Sequence, residues 1–428
     1  MVGRMPIVRA VGLICACALG MSLPALAGAT SLKNGELWLD DNGAHVNAHG
    51  GCVLFHGGRY WWYGEHKEPG VRGNRSHGIA VHAYSSEDLV NWRDEGGVLT
   101  CASDPCSDIA DNCIIQRPKV LFCAKTGQFV MHFHLELAQY GRQYLAARTG
   151  VAVSDAPNGP FRYLYGARPN AGCWPQGLDT ESCRIAYSNL VASASIKYAL
   201  PGNDNPDSRA FDIYLRDFDG GQMTRDLTLF VDDDGKAYQI SASEENSTLQ
   251  IAELTDDYLW FTGRFWRMAD KEWTEAPAVF KHGDWYYLLG SGCTGWAPNK
   301  ARLYRTRKIT GPWERLGNPC RGTNPETGQG VDLTWGCQSA FVLSIPGESR
   351  QIAIFDMWRP NDAIDGRYVW VPIDFSEDVP VIHWHDEWVG CLDAPSAKGP
   401  EVDVAALKEP IMRNYRHLAR GDEWHCLR

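Results

Sequence analysis

One pattern returns five times along this chain and limits its fold more than any other feature. In each copy a pair of short strands brackets a glycine-containing turn beside aromatic residues. A second strand pair follows and closes on a polar turn with Trp or Phe. The first copy is GGCVLFHGGRYWWYGEHK, then HGIAVHAYSSEDLVNWRDEGGVL. The second is PKVLFCAKTGQFVMHFHLE, then TGVAVSDAPNGPFRYL. LTLFVDDDGKAYQISASEE with LQIAELTDDYLWFTGRF, and PAVFKHGDWYYLLGSG with ARLYRTRKITGPWERL, are the third and fourth. The fifth is SAFVLSIPGESRQIAIFDMW, then RYVWVPIDFSEDVPVIHW. Hairpin turns at His-Gly-Gly, Thr-Gly, Asp-Gly and Gly-Asp punctuate the strands. Units of about 50 residues that each supply four strands predict an all-β fold, a five-bladed β-propeller. A β-sandwich or β-helix would account for the strands but not for five matched copies.

Two regions break the rhythm. Residues 166–224 are rich in Pro, Asn and Asp and read as an insertion between blades two and three. Residues 392–428 follow the last blade, include VDVAALKEPIMRNYRHLAR, and read as a partly helical extension packed on the propeller. The catalytic domain is thus expected over 28–391. Residues 1–27 have Arg4 and Arg9, an apolar run, and Ala25-Leu26-Ala27, the form of a secretory signal. The apolar run falls well short of the roughly 20 residues a membrane anchor needs. A secreted or periplasmic protein, free of the membrane after cleavage, is expected.

Those 27 residues hold two arginines and no acid, so their loss moves the formal charge from −11 to −13. That charge argues against nucleic acid or an anionic membrane as partner. The 17 Trp and 17 Tyr suit either a core or stacking on the apolar faces of sugars. Of 14 cysteines, twelve follow the signal. In an exported chain these can pair: short spacings favour bridges among Cys101, Cys106 and Cys113 and between Cys173 and Cys183, and a Cys391–Cys426 bridge would tie down the tail, with free buried thiols as the alternative. No Cys-x-x-Cys pair marks a zinc site. Oligomeric state is not written in the sequence, and a monomer is the working expectation.

Propeller sites gather where the first strands of the blades converge on the axis. The polar residues entering those strands are Asn47-Ala48-His49-Gly50-Gly51, Gln116-Arg117-Pro118-Lys119, Thr224-Arg225-Asp226, Glu275-Ala276-Pro277 and Cys337-Gln338-Ser339. Asp226 and Glu275 stand out as acids on neighbouring blades. Glycoside hydrolysis needs an acid to protonate the leaving oxygen. Inversion adds a base across the ring, about 6.5–9.5 Å from that acid. Glu275 enters an apolar strand, where burial would raise its pKa as an acid requires. Adjacent blades place Asp226 too near to act from the opposite face, so it reads as the residue that tunes Glu275. The bland readings are a solvated loop Glu and a strand-start ion pair.

Several motifs in register resemble glycoside hydrolase family 43, in the branch containing exo-β-1,3-galactanases. They are NAHGGCVLFHGGRYWWYGEHK, RPKVLF, HLEL, RDLTLFVDDDGKAY, EAPAVF, SGCTGWAPN, GNPCRGT and YVWVPIDF. The resemblance implies that Glu275 is the general acid, Asp226 its tuner, and Gln338 a stand-in for the base. The usual first-blade Asp base is absent, since that position reads Asn-Ala-His-Gly-Gly. Relatives tend to have Glu where this chain has Gln116. Glu65 and Glu136 are further carboxylates for sugar hydroxyls, with Glu65 a fallback base, or else strand-end ion pairs. His49, Gln116 and Lys119 are candidate hydroxyl binders, and Arg117 either joins them or neutralises nearby acids. Tyr63, Trp296 and Trp335 are candidate stacking platforms, or else core.

No cofactor is expected. A structural calcium on the axis occurs in some family members, and no ligands for it are identifiable here. His132/His134 and His383/His385 share strand faces, which fits cross-strand packing better than metal ligation. Asp232-Asp233-Asp234-Gly235 lacks the spacing of a calcium loop and reads as a hairpin turn. The expected function is an exo-acting inverting hydrolase that releases a terminal sugar, galactose first, from galactan or arabinogalactan-type plant polysaccharide. An α-L-arabinofuranosidase, a β-galactofuranosidase, or a carbohydrate-binding propeller without catalysis are the alternatives.

Overall fold

A computed structural model of the chain describes residues 29–140, 144–193 and 212–390. The five repeats form five antiparallel sheets around an axis. Blade one comprises His49–His56, Arg59–Glu65, Ile79–Ser86 and Arg93–Thr100. Blade two comprises Ile114–Cys123, Gln128–Glu136, Arg148–Ser154 and Arg162–Ala167. Leu227–Val231, Ala237–Ser243, Thr248–Leu254 and Phe261–Met268 make blade three. Thr274–His282, Trp285–Gly292, Arg302–Thr306 and Glu314–Gly317 make blade four. Blade five has Gln338–Ser344, Gln351–Met357, Arg367–Asp374 and Val381–His383. It also gains Cys320–Arg321, which pairs in parallel with Val381–His383. The first strand of each blade packs on the first strands of its two neighbours, closing a ring.

Local sequence explains the hairpins. Gly57 and Gly58 sit at φ +60° and +78°, the doubly left-handed conformation that a tight hairpin in a right-twisted ribbon requires. The matched turns SDAPNGPF and ITGPWERL both hold a cis Gly–Pro bond.

Alternation along the strands builds the core. In blade one, Tyr60 and Trp62 face blade five, while Trp61 and Tyr63 face blade two. Such a period of two is what a sheet buried on both faces needs. Five apolar clusters result, one between each pair of neighbouring blades. Most of the unusual aromatic content is spent here. Trp38, Trp62, Trp92 and Trp370 form an edge-to-face group with centroids 4.9–6.1 Å apart between blades five and one.

The same interface closes the ring. Leu32–Lys33 pairs with Glu387–Trp388. Asn34 donates to the carbonyls of Trp370 and His385 at 3.0 Å each, and accepts from the Trp370 N–H at 2.9 Å. The inserted segment carries a helix at Thr180–Ala192, capped by Asp179, and a turn of helix at Ile213–Arg216. Cys183, Leu190, Tyr214 and Leu215 give it a small apolar cluster of its own.

The expected disulfides are corrected. All ten cysteines among the described residues are free. Cys183 is buried in the insertion's own cluster beside Tyr214. Cys173 instead packs at Gly263 on the outer strand of blade three, where an added Cβ would lie 2.9 Å from its sulfur. The Cys391–Cys426 pair, the segment 392–428 and residues 1–27 lie outside the described residues. Among the described residues, no helix is long and apolar enough to cross a membrane.

Replacing Asn34 with Ala strands three buried backbone groups at the ring closure. Asn34→Ala should cost roughly 2 kcal/mol and lower the urea midpoint, with activity in the folded range retained. An unchanged midpoint would show that closure rests on the aromatic group alone.

Candidate active site

Three first strands carry the same irregularity near their starts. The ladder slips by one residue between His49 and Cys52, between Gln116 and Lys119, and between Glu275 and Ala278. The extra residue is left-handed each time: Gly50 at φ +60°, Arg117 at +52° and Ala276 at +53°. Such a bulge re-aims the side chains around it. Positive φ is uncommon for a residue with a Cβ, and strained backbone of this kind clusters at functional sites. Pro118 and Pro277 fall inside two of the bulges, where a missing N–H costs no ladder bond. His49, Gln116 and Glu275 are therefore equivalent positions on three blades. Blade five slips between Ser339 and Phe341, just after Gln338.

The bulges bring Glu275, Asp226 and Gln338 together through Arg117. This arginine is 4% exposed. Its backbone N–H donates to Glu65 Oε1 at 3.0 Å. Its Nη2 lies 2.9 Å from Asp226 Oδ2 and donates to Gln338 Oε1 at 2.6 Å. Its Nη1 donates to the Ser339 carbonyl at 3.0 Å. Gln338 Nε2 donates in turn to Glu275 Oε1 at 3.0 Å and Ser291 Oγ at 2.9 Å. The indole N–H of Trp358 donates to Gln338 Oε1 at 2.8 Å.

The electrostatics follow from this packing. Burial, and then the neighbouring Asp226 carboxylate, push the Glu275 carboxyl up to about 7. Arg117, the Cys293 thiol and the Gln338 amide oppose that rise. Burial works against the charge on Arg117, but Asp226 and then Glu65 more than offset it. Asp226 thus pairs with the Arg117 guanidinium on one side, while its proximity helps raise the Glu275 carboxyl.

The other expected residues are placed as follows. Gln116 is half-buried, on the blade-two position equivalent to that of Glu275. Glu65 is 1% exposed and paired with Lys67 Nζ at 2.6 Å. Lys119 is buried and donates to the Gly50 carbonyl at 2.7 Å, and burial pulls its ammonium down to about 8. Trp296 is 38% exposed and packs edge-on to Trp358 at 5.5 Å. These two tryptophans, Pro298, Asn299 and Gly336 line a cavity beside Gln338.

Four expectations are corrected by burial. Tyr63 and Trp335 have no exposed face to offer a sugar, because each fills an interface between blades. Glu136 is fully buried and accepts from Ala146 N, Ala147 N and His134, so it anchors a loop. His49 is fully buried against Tyr368, with ring centroids 5.4 Å apart.

Asn246, Ser291, Cys293, Asp356 and Trp358 were not found by sequence reasoning. Each lies at the end of a second strand or beyond one; Ser291 and Cys293 fall in SGCTGWAPN and Asp356 and Trp358 in the fifth repeat, but neither pattern shows that they turn toward Glu275 or Arg117. Asn246 Nδ2 approaches Glu275 Oε2 at 3.5 Å. Asp356 accepts from Gly50 N at 3.0 Å, and burial pushes its carboxyl up to about 7.

Among the described residues no group of three or more His, Cys, Asp or Glu gathers as a metal site. The axial carboxylates Glu65 and Asp356 sit among Lys67, Arg117 and Lys119. That environment fits poorly with a calcium ion, which needs six to eight oxygen ligands. His132 is committed to Gln239 and the Tyr258 carbonyl.

A propeller whose axis carries one carboxyl pushed up by burial beside a second carboxyl paired with arginine has the make-up of a glycoside hydrolase site. Comparison with known proteins agrees. The profile of glycosyl hydrolases family 43 matches residues 208–330. A family 43 β-1,3-galactosidase solved with galactodeoxynojirimycin is 43% identical, with a TM-score of 0.75 over 83% of this chain and 99% of that one. An exo-β-1,3-galactanase from Clostridium thermocellum is 31% identical, with a TM-score of 0.65, over 86% of this chain and 67% of that one. An exo-β-1,3-galactanase from Phanerochaete chrysosporium, solved with β-1,3-galactotriose, is 27% identical, with a TM-score of 0.65, over 84% and 68%. The chain belongs to glycosyl hydrolases family 43.

Gly50 tests the bulge geometry. A Cβ there would lie 2.4 Å from Glu65 Oε1 and 3.3 Å from Arg117 Cδ, at a φ that L residues rarely adopt. Gly50→Ala should displace Arg117 and cut kcat/KM at least tenfold while the far-ultraviolet spectrum stays native. Full activity in that variant would refute the coupling between this bulge and the site.

Proposed function

We propose that this enzyme is exo-acting, releases galactose from β-1,3-linked galactan chains, and inverts the anomeric centre. The observation that carries the reading is the Glu275 carboxyl, pushed up to about 7 by burial and Asp226 and hydrogen-bonded to Gln338, which lines the cavity. Support for galactose comes from the relatives above, three of which are β-1,3-galactosidases or exo-β-1,3-galactanases. Trp296, exposed at the rim, supplies a flat apolar face for a sugar ring.

In this mechanism Glu275 protonates the glycosidic oxygen as the bond to the anomeric carbon breaks. Asp226 helps hold the proton on Glu275 until then, and Arg117 fixes the Asp226 carboxyl in place through their ion pair. Water attacks the opposite face of the oxocarbenium-like sugar, and the leaving sugar departs neutral. Residues 1–27 act as an export signal, which places the enzyme outside the cytoplasm with polymeric substrate.

Glu275→Gln should lower kcat on β-1,3-galactobiose by about 10²–10⁴-fold. The wild-type rate should fall as pH rises through about 7, because the acid form of Glu275 is lost there. Proton NMR during early turnover should show α-galactose first. Undiminished turnover by Glu275→Gln would overturn the acid assignment, and early β-galactose would overturn inversion. Amino-terminal sequencing of exported protein should begin at Gly28, and an intact Met1 would contradict the signal.

A further inference from the structure

Gln338 makes a closed set of hydrogen bonds whose directions are fixed by chemistry. An indole N–H and a guanidinium can only donate, so the Gln338 atom facing Trp358 and Arg117 must be the carbonyl oxygen. Its Nε2 then faces Glu275 Oε1 and Ser291 Oγ. Ser291 spends its own hydrogen on the Gly292 carbonyl at 3.2 Å, so it accepts from Gln338. Both donors and both acceptor positions of the amide are taken. An imidic tautomer would carry a hydrogen on Oε1, pointed at two groups with no lone pair to receive it.

We infer that Trp358 and Arg117 are positioning residues that lock Gln338 as an amide, and that Gln338 serves the acid Glu275 rather than the attacking water. The inference rests on the proposed role of Glu275 and deepens it. The Gln338 N–H occupies Glu275 Oε1 at 3.0 Å, whereas the Asn246 amide nitrogen reaches Oε2 only at 3.5 Å, so the transferable proton sits on Oε2. Gln338 also stabilises the carboxylate left after proton transfer. Water attached to Gln338 would have to break one of the four bonds first. The Gln338–Glu275 contact of 3.0 Å also leaves no room between them for a sugar and a water. Inverting pairs need about 6.5–9.5 Å.

The groups that set the protonation of Glu275 are Asp226 from the approach to blade three, Arg117 from blade two, Cys293 from the end of the second strand of blade four, and Gln338 itself. Trp358 makes no contact of its own with Glu275 and acts through Gln338, to which it donates, and through Arg117. It stacks over Arg117, with the guanidinium 5.3 Å from its ring, and touches Trp296 on its other side.

The test uses the substrate-free protein first. Carbon-13 NMR titration of labelled Glu carboxyls, assigned with Glu275→Gln, follows Glu275 in wild type, Trp358→Phe and Gln338→Met. Trp358→Phe keeps a ring and removes one N–H, and Gln338→Met keeps the length and removes the amide. In both variants the Glu275 midpoint should rise by roughly half a unit to one unit, since the charged form loses a donor. The basic limb of kcat/KM should move up equally, with plateau kcat reduced about tenfold. Nitrogen-15 spectra of wild type should show two hydrogens on Gln338 Nε2.

A single hydrogen there, or unmoved Glu275 midpoints with kcat still lost, would overturn the inference and return Gln338 to the water. The titration reads Glu275 without turnover. A failed galactose assay therefore counts against the proposed substrate, and an unmoved midpoint counts against the role of Gln338.

Discussion

The Arg117 guanidinium is the interaction on which the site depends. Burying a charge is costly unless partners replace its water, and removing one partner of such a group typically costs more than the pair contributes. The guanidinium meets that demand with Asp226 from the approach to blade three and with Gln338 and the Ser339 carbonyl from blade five, while the Arg117 backbone N–H holds Glu65 of blade one. Gln338 carries the connection on to Glu275 of the fourth. Asp226 and Gln338 are therefore solvation partners of one buried cation, and Glu275 is tied to it through Gln338. Their positions relative to each other are fixed by its need for them.

Around this centre, side chains tie the irregular backbone of one blade to that of the next. Lys119 of blade two donates to the Gly50 carbonyl of blade one, and Gly50 N donates to Asp356 of blade five. Ser339 of blade five donates to the Ala276 carbonyl of blade four at 2.7 Å. The apolar clusters between blades hold the ring together further out. The polar axis decides what faces the cavity. This division explains why so many tryptophans and tyrosines bury themselves between blades while few reach the sugar side.

The repeat count was legible because alternation and glycine turns are local signals, but the strand Cys320–Arg321, which joins blade five from the preceding loop, was not. The relation of Asp226 to Glu275 was legible from blade order alone. Burial was not. Tyr63 and Trp335 look like platforms in sequence because a strand shows its aromatics without saying which face is covered on both sides. Glu136 looks like a sugar ligand until the Ala146 and Ala147 N–H groups are seen to claim it. The part of Trp358 left no trace, since it depends on where blade five meets blade one. The left-handed backbone of Arg117 and Ala276 is likewise invisible, because neither residue type announces a positive φ. Cysteine spacing misled for a physical reason: sequence proximity does not bring Cys173 to Cys183 when each has its own apolar partner.

The shared bulge of blades one, two and four has a consequence for how such a scaffold sets its chemistry. His49, Gln116 and Glu275 are delivered to the axis by one backbone device used three times. A histidine, an amide and a carboxyl already occupy it without altering the strand beneath. One backbone frame thus holds a histidine packed into the core, a half-buried amide and the Glu275 carboxyl, so what each position contributes is set by its surroundings rather than by the bulge. Blade three has no such bulge in its first strand, and its acid arrives from the residue before the strand.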